Sequence, residues 1–166
     1  MPDPLLADPI GVDARALIAA LTDRGETLAT TESLTAGLLA GTLAGVPGAS
    51  AVLVGGLITY TEATKIALAG VGADVLAAVG PVAADTAAQM ADGARLRCCA
   101  TWGIGLTGVA GPQPHGGHAV GTVFLGLAGP DGTRSEELHL SGERWDIRLG
   151  SVHRAITALL ARIGER

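Results

Sequence analysis

Tyr60 and Lys65 are the one tyrosine and the one lysine of a 166-residue chain, five positions apart in Gly56-Leu57-Ile58-Thr59-Tyr60-Thr61-Glu62-Ala63-Thr64-Lys65. Every other basic side chain is an arginine. An ammonium can release its proton and a guanidinium cannot, so a position that keeps lysine in such a chain is a candidate for proton transfer. The plain alternative is a composition rich in arginine and alanine that left a single solvated lysine. Ser33, in Thr31-Glu32-Ser33-Leu34-Thr35-Ala36-Gly37, supplies a second reactive group. A serine hydroxyl is a weak nucleophile until a base takes its proton, and a partly desolvated lysine can be that base. A tyrosine can relay the proton or donate to a substrate. Ser33 also reads as an ordinary helix cap, since capping residue types crowd this stretch.

A third candidate element is the glycine-rich run from Gly105 through Thr107, Gly108, Ala110 and Gly111 to Gly117. Such a run can turn several backbone N–H groups toward a phosphate or carboxylate. It lacks the Lys-Ser or Lys-Thr of a P-loop and the strand, helix and distant acid of a dinucleotide fingerprint. A plain connector is its alternative reading. His115 and His118 have metal-like spacing, but no acidic or cysteine ligand lies close in sequence, and no metal is assigned.

The elements that must position these groups follow from periodicity. Asp13 is read as the cap of a helix burying Leu17, Ile18 and Leu21, stopped by Gly25. A strand over Glu26 to Thr30 leads to Ser33 at a strand-to-helix turn, followed by a helix marked by Leu38, Leu39 and Leu43. A buried strand through Val52, Leu57 and Thr59 ends at Tyr60. Helical turns follow over 65–68 and 73–78, then a longer helix from about Pro81 to Arg95. Strands are expected over 99–106, 118–127 and 133–140, the last two joined at Gly129-Pro130-Asp131-Gly132, and a helix from about Asp146 closes the chain. Early alternation of helices and strands with a late hairpin predicts an α/β fold, a three-layer α/β/α sandwich around a mixed sheet. Strand ends of such a sheet converge on one edge, where ligands bind, so serine, tyrosine, lysine and loop can meet there.

Composition narrows the classes. Hydrophobic residues make up 48% of the chain and aromatics 2%, which requires an aliphatic, closely layered core in a single domain. A net charge of -5 with scattered arginines excludes a nucleic-acid-binding stripe and leaves free nucleotides possible. Cys98 and Cys99 are adjacent, unsuited to an ordinary disulfide or to metal spacing, so a reducing, cytoplasmic setting is expected. Met1-Pro2-Asp3-Pro4 opens no signal peptide, and no apolar run reaches spanning length, so no membrane partner is expected.

In order and spacing, Thr31 to Gly37, Gly56 to Tyr60 with Lys65 and Gly70-Val71, Thr107 to Pro112, Gly121-Thr122-Val123, and Ser141 to Arg144 with Arg148 resemble the CinA C-terminal family. The resemblance covers about residues 10–164. It implies a standalone amidohydrolase that converts nicotinamide mononucleotide to nicotinic acid mononucleotide and ammonia, a step of pyridine nucleotide salvage. It also implies a catalytic group at Ser33, Tyr60 and Lys65. Substrate contacts are expected at Thr31, Glu32, Thr35 and Gly37, at Thr107, Gly108, Ala110 and Gly111, and at Arg144 and Arg148. Homo-oligomers and no cofactor or metal are further expectations.

In the expected mechanism Lys65, directly or through Tyr60, activates Ser33, and N–H groups at the start of the following helix hold the oxyanion. Arg144 and Arg148 either bind phosphate or pair with Glu143 or Asp146. Leu34 and Ala36 are larger than the family pattern, Ala83 stands where a serine is common, and Gln113-Pro114-His115 replaces the usual loop continuation. These changes keep open a second reading, an inactive nucleotide-binding or partner-binding protein on the same fold. A short-chain dehydrogenase would place three residues, not four, between tyrosine and lysine and would carry a dinucleotide fingerprint.

Overall fold

Residues 9–166 are described by a computed structural model, so the reading of Met1 to Pro4 lies outside the described residues. Helix α1 (Pro9–Arg24) is followed by strand β1 (Leu28–Glu32), helix α2 (Leu38–Ala44) and strand β2 (Leu53–Ile58). A short turn of helix, α3 (Glu62–Thr64), widens directly into a π-helical turn over Lys65–Ala69. Helices α4 (Ala73–Val79) and α5 (Ala84–Arg97), strands β3 (Trp102–Gly108), β4 (Thr122–Gly129) and β5 (Gly132–His139), and helix α6 (Arg144–Gly164) complete the chain.

The sheet runs β2-β1-β3-β4-β5. Strand β1 pairs parallel with both β2 and β3, whereas β3–β4 and β4–β5 are antiparallel, giving the expected mixed sheet. Helices α1, α2 and α6 pack on one another over one face, and α5 lies on β1, β3 and β4 across the other. The larger core cluster is aliphatic, with Leu17, Leu21, Leu39, Leu43, Ile156 and Leu159 against Leu28, Ile104 and Leu125, and Trp102 as its one large aromatic. On the α5 side the sheet is floored by glycine. A Cβ at Gly103, Gly105 or Gly126 would run into the backbone of α5 at Ala87 or Ala91, so the helix rests on bare strand backbone and its own contact residues are alanines.

Several boundaries differ from expectation, each for a local reason. Asp13 does not cap α1. The helix already includes Pro9, whose fixed φ suits a first turn, and the Asp13 carboxylate instead meets His153 Nε2 of α6 at 2.7 Å. Gly25, at φ 64°, ends the helix in the left-handed conformation. Helix α5 begins at Ala84 rather than Pro81, because Ala83 is extended and the Thr107 hydroxyl donates to the Pro81 carbonyl at 2.7 Å, tying this stretch to the end of β3. Strand β3 starts late because Cys98 closes α5 and Cys99 takes a left-handed turn at φ 52°. Helix α6 starts two residues before Asp146, whose side chain completes a capping box with Glu143.

Candidate active site

The chain crosses from β1 to β2 at one side and then returns past β1 to β3 at its other side, so the carboxyl ends of β1, β2 and β3 open a crevice at a switch in strand order. Ser33 follows β1 directly, and its N–H still donates to Leu106 O at 2.9 Å, extending the β1–β3 ladder by one residue. Thr59 and Tyr60 follow β2, and Thr107 and Gly108 end β3. These ends surround a cleft of about 350 Å³ that also reaches Val82, Gln113, His115 and Arg144.

Lys65 is brought onto Ser33 by the segment after β2. Thr61 and Thr64 form a capping box that starts α3, and the backbone then widens so that Val71 N–H reaches the Lys65 carbonyl. Single π turns of this kind frequently mark functional sites, because the extra residue redirects one side chain. The Lys65 side chain is 2% exposed, and its Nζ donates to Ser33 Oγ at 3.0 Å and to the Thr59 carbonyl at 2.8 Å. Among the described residues no carboxylate forms an ion pair with it. Burial therefore pulls its pKa from the ordinary 10.5 to about 8, with the negative charge of Glu62 opposing the shift. A lysine tuned in this way keeps a neutral fraction near physiological pH and can accept the serine proton.

Tyr60 does not touch this pair. Its half-exposed hydroxyl accepts from Arg144 Nη2 at 3.0 Å, and Arg144 Nη1 donates to the Gly111 carbonyl at 2.6 Å. Arg144 thus joins the end of β2 to the glycine-rich loop across the rim of the cleft, and no pairing with Glu143 or Asp146 forms. Arg148 points elsewhere. Its Nε and Nη2 donate to the carbonyls of Leu34 and Thr35, both at 3.0 Å, and its guanidinium lies over the Trp145 ring at 5.1 Å.

The expected contacts near the serine divide by position. Thr107, Gly108, Ala110 and Gly111 line the cleft. Thr31, Glu32, Thr35, Gly37 and Arg148 do not. Glu32 is 1% exposed, and its carboxylate accepts from Thr30 Oγ1 and from the N–H groups of Gly37, Leu39 and Ala40 at 2.9 to 3.1 Å. A carboxylate with four donors has no capacity left for a substrate. It caps α2 from the end of the preceding strand, and this corrects the oxyanion expectation: at the start of that helix the N–H groups of Gly37, Leu39 and Ala40 are occupied by Glu32 and that of Leu38 by the Thr35 carbonyl. Thr31 and Thr35 are fully buried, with hydroxyls that find no partner among the described residues.

Ala36 is exposed, lies outside the cleft lining and sits at φ 49°, so the cost of its methyl group is conformational. Leu34, by contrast, lines the cleft while belonging to the core. His115 faces the cleft, and His118 packs its ring edge-on against Phe124 at 5.6 Å. No group of three metal-ligating side chains gathers among the described residues. Also among them, no helix is long and apolar enough to cross a membrane.

Sequence reasoning missed the lining role of Val82 and the capping role of Glu32. A glutamate ending a strand a few residues before a helix without a Ser, Thr or Asp cap was the available signal for the latter.

The model of the CinA C-terminal domain matches residues 13–163. A CinA-like protein of Frankia casuarinae is 49% identical over 140 residues, 84% of this chain and 32% of that protein. A putative competence-damage inducible protein of Desulforamulus reducens is 43% identical over 136 residues, 82% of this chain and 33% of that protein. The chain therefore spans about a third of the length of these curated relatives. Among solved structures, the competence/damage inducible protein CihA from Agrobacterium tumefaciens superposes with a TM-score of 0.88 at 37% identity, covering 92% of this chain and 94% of that one. A competence or damage-inducible protein from Enterobacter asburiae superposes with a TM-score of 0.91 at 29% identity, covering 94% and 99%. The chain belongs to the CinA C-terminal domain family.

Proposed function

We propose that the chain is an amidohydrolase that converts nicotinamide mononucleotide to nicotinic acid mononucleotide and ammonia, with Ser33 as nucleophile and Lys65 as its base. The observation that carries this reading is the 3.0 Å approach of a buried lysine amine to a serine hydroxyl, with no acid among the described residues pairing the amine. Neutral Lys65 takes the Ser33 proton as Oγ bonds to the carboxamide carbon and the carbonyl electron pair moves onto oxygen. The tetrahedral species collapses, the C–N bond breaks, and Lys65 returns the proton to the leaving nitrogen as ammonia departs. Water, deprotonated by the same amine, then attacks the acyl carbon and releases Ser33.

The cleft supports an anionic substrate. In a chain of net charge -5 its lining carries no carboxylate and contains Lys65, Arg144 and His115. Arg144 at the rim offers a phosphate two donors that now serve Tyr60 and Gly111, and the N–H groups of the loop around Ala110 stand beside it. Arg148, committed to two backbone carbonyls, is left out of phosphate binding.

The test is ammonia release from nicotinamide mononucleotide by the purified chain and by Ser33→Ala. Turnover by the wild-type chain that is lost in Ser33→Ala supports the reading. Binding seen by calorimetry with no ammonia from either protein would instead identify a nucleotide-binding protein on the same scaffold.

A further inference from the structure

We propose that the oxyanion of this reaction is held by the backbone N–H group of Leu34, displayed by a turn that Arg148 and Glu32 lock from opposite ends. The inference rests on the serine-amidase reading above and names the group that stabilises its charged intermediate.

Residues Ser33 to Ala36 form a β-turn closed by Ala36 N–H to Ser33 O at 3.1 Å. Neither Leu34 nor Thr35 has positive φ, which selects the type I geometry over the glycine-requiring types. The first three carbonyls of the turn are occupied. Ser33 O accepts from Ala36 within the turn, Leu34 O accepts from Arg148 Nε, and Thr35 O accepts from Arg148 Nη2 and from Leu38 N–H. Just beyond, Glu32 takes the N–H groups of Gly37, Leu39 and Ala40.

The N–H groups of Leu34 and Thr35 alone in this stretch have no acceptor among the described residues. Peptide planarity fixes where they point. The Leu34 N–H is opposed to the Ser33 carbonyl and the Thr35 N–H to the Leu34 carbonyl, so one faces away from the turn interior and the other away from Arg148. Of the two, Thr35 is fully buried and off the cleft, whereas Leu34 is on the cleft wall directly after the nucleophile, so its unpaired N–H is the donor beside the carbon that Ser33 attacks.

Arg148 is in this arrangement a positioning residue. It touches no substrate, and its fork sets the planes of two consecutive peptides at once, which a lysine with one head group cannot do. Glu32 positions in the same way from the other side, and it removes the helix N–H groups that would otherwise compete for the anion.

The test uses the type I turn itself, whose second residue accepts proline. Leu34→Pro deletes one N–H and preserves the turn, while Leu34→Ala loses the same packing and keeps the N–H, so their ratio isolates the donor. With nicotinamide mononucleotide as substrate, kcat of Leu34→Pro is expected about 10²-fold to 10³-fold below that of Leu34→Ala, at similar KM. Arg148→Met carries the test should Leu34→Pro fail to fold: kcat falls at least about tenfold with KM and circular dichroism unchanged, and Arg148→Lys recovers only part. Equal kcat in the Leu34 pair, or an Arg148→Met variant that changes KM alone, overturns the assignment while leaving the amidase reading intact. A wild-type chain that releases no ammonia overturns both.

Discussion

Lys65 Nζ reaches Ser33 Oγ at 3.0 Å although the two residues are 32 positions apart, and among the described residues the lysine has no other side-chain hydrogen-bond partner. That relationship makes the amine the one base in contact with the hydroxyl among the described residues. Ser33→Ala should reduce ammonia release to background. Lys65→Arg should lower kcat by about 10²-fold to 10⁴-fold, since a guanidinium keeps its proton. Both variants should melt cooperatively, and retained turnover in either one removes the serine–lysine scheme.

The pH dependence follows from the lysine. With burial holding its pKa at about 8, kcat/KM should rise with pH and reach half its plateau near that value. Glu62 opposes the shift, so Glu62→Gln should move the profile toward lower pH; an unmoved or opposite shift would show that another group controls it. Stability carries the same sign. Between about 8 and the ordinary 10.5 the unfolded chain holds the Lys65 proton and the folded chain does not, so the Lys65 contribution to stability grows as pH rises through that window. Urea titrations of wild type and Lys65→Met across the window should diverge accordingly.

Tyr60 and Arg144 belong to the rim and not to the proton transfer. Arg144→Ala should raise KM about tenfold with a smaller change in kcat, the signature of lost uniform binding to an anion. Tyr60→Phe, which deletes only an acceptor for Arg144, should change kcat by no more than about fivefold. A collapse of kcat in Tyr60→Phe would return the tyrosine to the proton path.

Ala36 holds a left-handed backbone at φ 49° without contact to the cleft. Relief of roughly 1 to 2 kcal/mol of left-handed strain, set against about 0.4 to 1 kcal/mol of added unfolded-state entropy, predicts that Ala36→Gly stabilises by up to about 1.6 kcal/mol. Gly37→Ala should destabilise, since at φ 93° its Cβ would also press on Ile58 Cδ1 at 3.3 Å. Thermal or urea unfolding of both variants checks the opposite signs.

Periodicity and glycine punctuation located every major helix and strand of the described residues, because burial faces repeat locally and turns demand local backbone types. Boundaries were less legible where a distant partner set them. The stretch from Pro81 to Ala83 stays extended because Thr107, 26 residues away, binds its carbonyl. Asp13 had the composition of a cap, and only the position of His153 on α6 shows what it does.

The candidate site divides along the same line. Residue chemistry alone marked Ser33, Tyr60, Lys65 and the glycine-rich loop, because a lone amine in an arginine-rich chain is visible without coordinates. Which of them touch was decided by the crossing of β1, β2 and β3 and by the π turn that aims Lys65. The family resemblance made Glu32 and Arg148 look like substrate ligands. Tertiary structure assigned them to the backbone, since a hydrogen-bonding group is defined by the donors and acceptors that folding places within about 3 Å of it, and sequence spacing carries no record of those partners.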